Sequence, residues 1–201
     1  MYRSERDISF FMYGINSLEC VEEIDGTLLK LAARKISESK AQLTSRAIGN
    51  ALYGLQGITT DTIGAPELCE AMAKKVKTFE GDLNGQDIGI GIYGLQGMSS
   101  DWSEVRELVQ CLSEKIVKSE TDMDSQALGN ALYGLQSMNS LHLEVRMLVQ
   151  ALAKMLGESS PTLSIQSIGA ALYGLQKMSS DSLEVRALLA ALSEKIEASE
   201  V

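Results

Sequence analysis

Five tyrosines stand 40 residues apart, at Tyr13, Tyr53, Tyr93, Tyr133 and Tyr173. Seven residues before each lies a long polar side chain: Arg6, Arg46, Gln86, Gln126 and Gln166. Three residues before each lies a variable one: Phe10, Asn50, Ile90, Asn130 and Ala170. Steps of four and three put each trio on one line of a helix. Four residues further on, the same line reaches Ser17, Gly57, Gly97, Ser137 and Lys177. Amides, guanidinium groups and phenols in such rows offer hydrogen bonding and ring contacts. Exposed peptide backbone and unstacked bases are the ligands that such a surface suits.

Covalent chemistry is harder to find. The one histidine, His142, has no repeated partner and completes no set of nucleophile, base and orienting group. No Gly-x-x-x-x-Gly-Lys phosphate loop occurs, and the glycines are periodic, not clustered. With no Cys-x-x-Cys, no metal ligand set is expected and no cofactor is called for. Cys20, Cys69 and Cys111 are unevenly spaced in apolar or small-residue settings and read as reduced, packed thiols. A non-catalytic protein is the expectation.

The elements that position the tyrosines form a five-fold repeat. Met12-Tyr13-Gly14, Leu52-Tyr53-Gly54, Ile92-Tyr93-Gly94, Leu132-Tyr133-Gly134 and Leu172-Tyr173-Gly174 follow one another without gaps. Units 1–40, 41–80, 81–120, 121–160 and 161–200 are in register, which favours one elongated domain over 1–201. Within a unit, positions 4–18 read as a first helix and 22–38 as a second. In the fourth unit Leu128, Leu132, Leu135 and Met138 give the first helix one apolar face. Ser4, Thr44, Asn84, Asp124 and Ser164 can each cap its start. Val185, Leu188, Leu189, Leu192 and Ile196 line the second helix, with Asp101–Glu104 and Asp181–Glu184 as capping boxes. Lys35, Lys75, Lys115 and Lys195 suit its C-terminal dipole. The predicted fold is all-α: an α-solenoid of five two-helix units wound into a right-handed superhelix. With neighbouring helices about 8–10 Å apart, five first helices make a wall roughly 40 Å long.

Glycine is out of place in this scheme. Position 14 is Gly in every unit, and position 9 is Gly49, Gly89, Gly129 and Gly169. A mid-helix glycine costs about 1 kcal/mol relative to alanine. The two positions flank the apolar stripe on opposite sides, so first helices of adjacent units are expected to meet there, backbone against backbone. Gln56, Gln96, Gln136 and Gln176 lie beside the stripe and are expected to bridge units by hydrogen bonds.

Net charge of −9 argues against a general polyanion binder. That charge is not spread evenly. On positions 4–18 of all units, Glu5, Asp7, Asp87 and Asp124 outnumber Arg6, Arg46 and Lys177 by one. The wall is therefore nearly neutral. No apolar run reaches membrane-spanning length, and the first residues lack the pattern of a signal peptide. A reducing intracellular compartment is the expected setting, without membrane insertion.

The stretch Gln126-Ala-Leu-Gly-Asn130-Ala-Leu-Tyr-Gly-Leu-Gln136, with its copies, resembles the first helix of octotricopeptide repeats. The likeness covers all five units, at motif level in the first helix only. It implies an α-solenoid that binds single-stranded RNA, with base contacts from Arg46, Asn50, Gln86, Gln126, Asn130 and Gln166. Only three basic side chains lie on the first helices, however, and few neutralised phosphates mean weak binding. The leading expectation is a scaffold that docks a protein partner or serves as a subunit of a larger assembly. Single-stranded RNA is the alternative ligand. The fifth unit is close to the inner consensus, so its outer face should stay apolar and invite end-to-end contact or further chain. The first unit, with Phe10, Phe11 and Asn16, is the most divergent and reads as a cap or a docking edge.

Overall fold

Short oxygen-bearing side chains start the first helices as anticipated. Thr44, Asn84, Asp124 and Ser164 each accept a hydrogen bond from the backbone N–H three residues on. The computed structural model describes residues 5–16, 26–158 and 162–199. The expectations placed on Ser4, Ser17 and Cys20 lie outside these. First helices are α1 (Glu5–Asn16), α3 (Ser45–Tyr53), α5 (Gly85–Tyr93), α7 (Ser125–Tyr133) and α9 (Ile165–Gly174). Second helices are α2 (Thr27–Glu38), α4 (Ala65–Thr78), α6 (Ser103–Lys118), α8 (Leu143–Glu158) and α10 (Leu183–Glu197). No strand occurs among the described residues.

The inner first helices stop earlier than their apolar pattern suggested. After Tyr53, Tyr93 and Tyr133 the backbone tightens to hydrogen bonds three residues apart, as in Leu95 N–H to Ile92 C=O at 2.9 Å and Met98 N–H to Leu95 C=O at 2.8 Å. The apolar stripe continues through this turn: Leu95, Met98, Leu135 and Met138 are fully buried. Periodicity alone ran the helix through a segment that keeps the face but changes the pitch. Second helices begin later than position 22, at Thr27, Ala65, Ser103, Leu143 and Leu183. The capping boxes do not form. Trp102 and Ser182 are the N-caps, with no side-chain cap bond. Arg106, Arg146 and Arg186 instead curl back to hold two carbonyls of the preceding turn, at Ser100 and Asp101 in the first case.

The helices form two layers. Each first helix packs on the next first helix, and each second helix on the next second helix. Contacts between first helices keep an offset near 40 residues along their length: Ser45 Oγ donates to Asp87, 42 residues on, Gly49 lies against Asp87, 38 on, and Gly54 lies against Met12, 42 back. A nearly constant offset means parallel neighbours. The array is an α-solenoid of two-helix units, and its buried apolar side chains form one continuous cluster between the layers.

The glycines do what their flanking positions implied. A Cβ on Gly54, Gly94, Gly134 or Gly174 would sit 1.8–2.3 Å from the carbonyl oxygen at position 12 of the preceding unit. On the other side, Gly49, Gly89 and Gly129 press on position 7 of the following unit, at 2.7–2.9 Å. Polar ladders tie the loops as well. The hydroxyls of Thr60, Ser100 and Ser140, all buried, accept from the N–H of Ser99, Asn139 and Ser179 in the next unit. Lys75 and Lys115 reach back to carbonyls that end the preceding second helix, at Ser39 and Phe79. Burial lowers the Lys75 pKa. Cys69 and Cys111 are free and buried, as packed thiols should be, and burial pushes the Cys69 pKa up to about 12.

Candidate functional site

The glycine contacts draw the first helices together, and this sets the geometry of the tyrosine row. Successive rings stack on one another from Tyr13 to Tyr173, with centroids 6.2, 6.2, 5.5 and 5.4 Å apart and planes within 23° of parallel. Such spacing lies in the offset-stacked range. Tyr53, Tyr93 and Tyr133 are half-buried, while Tyr13 and Tyr173 are exposed. The inner ring faces are therefore spent on each other, and what the row offers outward is edges and hydroxyls.

Beside the tyrosines, Arg6, Arg46, Gln86, Gln126 and Gln166 are exposed, and Asn50, Ile90, Asn130 and Ala170 are half-buried. Two open hollows lie along this face. One, of about 560 Å³, lies between units 1 and 2 and is lined by Arg6, Phe10, Tyr13, Arg46 and Asn50. The other, of about 470 Å³, lies between units 4 and 5 and is lined by Gln126, Asn130, Gln166 and Ala170. No hydrogen bond within the described residues holds the side chains of Arg46, Asn50, Gln86, Gln126, Asn130 or Gln166. The structure brings all the sequence-derived candidates to one face of the first-helix layer. Position 17 is the exception. Because the helix ends at the tyrosine, Gly97 and Ser137 turn toward the preceding unit: a Cβ on Gly97 would lie 2.4 Å from the Ile58 carbonyl oxygen, and Ser137 Oγ donates to Gln96 C=O at 2.5 Å.

Polar side chains next to the wall are occupied except at Gln56, whose buried Oε1 has no hydrogen-bond partner, so the bridging expected there does not form. Gln136 Nε2 donates to Gln96 Oε1 at 3.1 Å and Gln176 Nε2 to Gln136 C=O at 3.4 Å, the bridging expected of position 16. Asp87 is buried and accepts from Ser45 Oγ at 2.6 Å and from Asn84. His142 meets Asp101 of the preceding unit at 3.4 Å, and hydrogen bonds from His142, Ser99 and Asn139 hold the Asp101 carboxyl below its ordinary pKa. Among the described residues no three His, Cys, Asp or Glu side chains converge as a metal site. No helix there is long and apolar enough to cross a membrane.

Comparisons with family models, curated proteins and solved structures give no match. Function must therefore be argued from the surface itself.

One surface feature was missed by the sequence reading. Where the second helices begin, Ile63, Trp102, Leu141, Leu143 and Leu183 are all exposed, Leu141 to 81%. They fall at positions 21–23 of units 2–5, so they recur along one edge of the array. Aligning those positions across units would have found the row. The helical periods hid it, because these residues lie at the junction before the second helix and in its first turn.

Proposed function

We propose that this protein is a non-catalytic helical-repeat scaffold that docks a protein partner along its first-helix wall. The observation that carries this reading is the row of unspent polar side chains beside the tyrosine edges: Arg46, Asn50, Gln86, Gln126, Asn130 and Gln166. Their amides match the donors and acceptors of an extended peptide, which advances about 6.6 Å every second residue. The tyrosine rungs, 5.4–6.2 Å apart, step at nearly that interval. The exposed apolar edge from Ile63 to Leu183 adds a surface of the kind that protein partners cover.

The resemblance to octotricopeptide repeats favours single-stranded RNA instead. Base recognition of the usual kind inserts bases against open aromatic faces. Here the inner faces are closed by their neighbours, and of the two hollows on this face only the one between units 1 and 2 is lined by basic side chains, Arg6 and Arg46. Both count against RNA.

The test compares the wild-type chain with the triple variant Gln126→Ala, Asn130→Ala, Gln166→Ala in co-purification from the native source. A protein recovered in stoichiometric amount by the wild type and lost by the variant supports wall docking. Fluorescence anisotropy with labelled mixed-sequence single-stranded RNA runs beside it. An RNA affinity of about 1 μM or tighter at physiological salt, abolished by the same variant, would overturn the reading in favour of RNA.

A further inference from the structure

The inner joints between units share recurring parts, and both ends of the array carry such parts unused. On the last unit, Leu172, Leu189 and Ile196 are 52%, 36% and 37% exposed, although their counterparts in earlier units are buried. A Cβ on Gly169 would meet nothing within 4 Å, unlike Gly49, Gly89 and Gly129. The Ser180 hydroxyl receives no hydrogen bond from the described residues, unlike Thr60, Ser100 and Ser140. On the first unit, Leu28 and Leu31 are 41% and 43% exposed where the inner counterparts Leu68, Ala71, Leu108 and Leu148 are buried. Gly14, too, has nothing within 4 Å of its would-be Cβ.

We propose that copies of this chain join head to tail, the first unit of one seating on the fifth unit of the next, so that the solenoid continues across molecules. The occupant is read from the joints already present. Gly14 of the incoming copy would lie against the Leu172 carbonyl, as Gly54 lies against Met12 and Gly174 against Leu132. Lys35 would reach the Ser199 carbonyl, as Lys75 reaches Ser39 and Lys115 reaches Phe79. Leu28 and Leu31 would cover Leu189 and Ile196. Charge agrees: α2 carries Lys30, Arg34 and Lys35 against Glu38, whereas α10 carries Glu184, Glu194 and Glu197 against Arg186 and Lys195. Phe11 differs, standing where inner units have Ala51, Gly91, Ala131 and Ala171. Its ring makes this joint looser than the inner ones, so association is reversible and concentration-dependent. A head-to-tail joint does not close on itself in pairs, and it builds rows. The inference stands independently of what the wall binds.

Sedimentation velocity of the wild-type chain over a roughly hundredfold concentration range is the test. Stepwise growth through dimers and longer rows is expected. Gly14→Ala should weaken association at least about tenfold while leaving the melting temperature equal or higher, since its Cβ is unobstructed in the single chain and obstructed only in the joint. Leu172→Glu should abolish association from the other end. A single monomeric species at every concentration would overturn the proposal. So would a closed dimer that Leu172→Glu breaks and Gly14→Ala leaves intact, because that pattern means two last units packed back to back.

Discussion

Gly134→Ala adds one methyl group at the tightest kind of contact in the array, and its cost can be worked from the geometry. The new carbon would lie 2.1 Å from the Ile92 carbonyl oxygen, 2.5 Å from its carbon and 2.9 Å from Tyr93 N. Ordinary carbon–oxygen contacts are about 3.3 Å, so two helices must separate by about 1 Å. All three obstructing atoms belong to the backbone, and no rotamer change can relieve them. Overpacking of a core costs about 1–3 kcal/mol, and a rigid obstacle puts this site at the upper end. The gain in helix propensity returns at most about 1 kcal/mol, less at a helix terminus. A net loss of about 2–3 kcal/mol is expected. For a chain of this size that lowers the melting midpoint by about 5–10 °C. Far-ultraviolet circular dichroism during heating measures it. Gly14→Ala, at the same position of the first unit with nothing within 4 Å, is the matched control and, at concentrations too low for copies to associate, should melt no lower than wild type. Equal melting of the two variants would refute the idea that carbonyl approach is why glycine stands there.

Ser140→Ala removes the buried acceptor of the Ser179 N–H, which is held at 2.8 Å, and should cost about 1–3 kcal/mol in denaturant unfolding. Met155 occupies the place of the reaching lysines Lys75 and Lys115, beside a hollow of about 470 Å³ that Ser119 also lines. Met155→Lys should reach the Ser119 carbonyl and stabilise by about 0.5–1.5 kcal/mol, read as a raised urea midpoint. Cys69 should resist alkylation until the chain unfolds, as peptide mass spectrometry would report. Its pKa is raised from 9.0 to about 12, so the folded state keeps a proton that the unfolded state loses. The stabilisation is complete below pH 9 and falls by about 1.4 kcal/mol per pH unit above it. Cys69→Ala should flatten that slope, and an unchanged slope would remove Cys69 as its source.

The units, their two helices and the first-helix caps were legible because each depends on a pattern within 40 residues. Thr44, Asn84, Asp124 and Ser164 need only a neighbouring turn, and the glycines disclosed their packing role by flanking the apolar stripe. What depends on the step from one unit to the next was not legible. Lys75 and Lys115 looked like local dipole partners, yet they serve the preceding unit's helix end. Nothing within one unit marks the hydroxyls of Ser100 and Ser140 for burial, yet they receive hydrogen bonds from the following unit. The tyrosine column was evident, but whether its ring faces stayed open depended on a rise between units that a one-dimensional period does not carry. The early end of the inner first helices was hidden for a related reason: Leu135 and Met138 keep the apolar rhythm through a tighter turn.

The closed tyrosine stack also makes the surface convertible. Each inner ring acts as a shutter for both of its neighbours. Removing Tyr93 alone would uncover one face of Tyr53 and one of Tyr133, and leave a gap spanning two rungs, room for a flat guest between two parallel plates. A lineage with this architecture is thus a single codon away from trading a surface read by its edges for a slot that grips planar molecules.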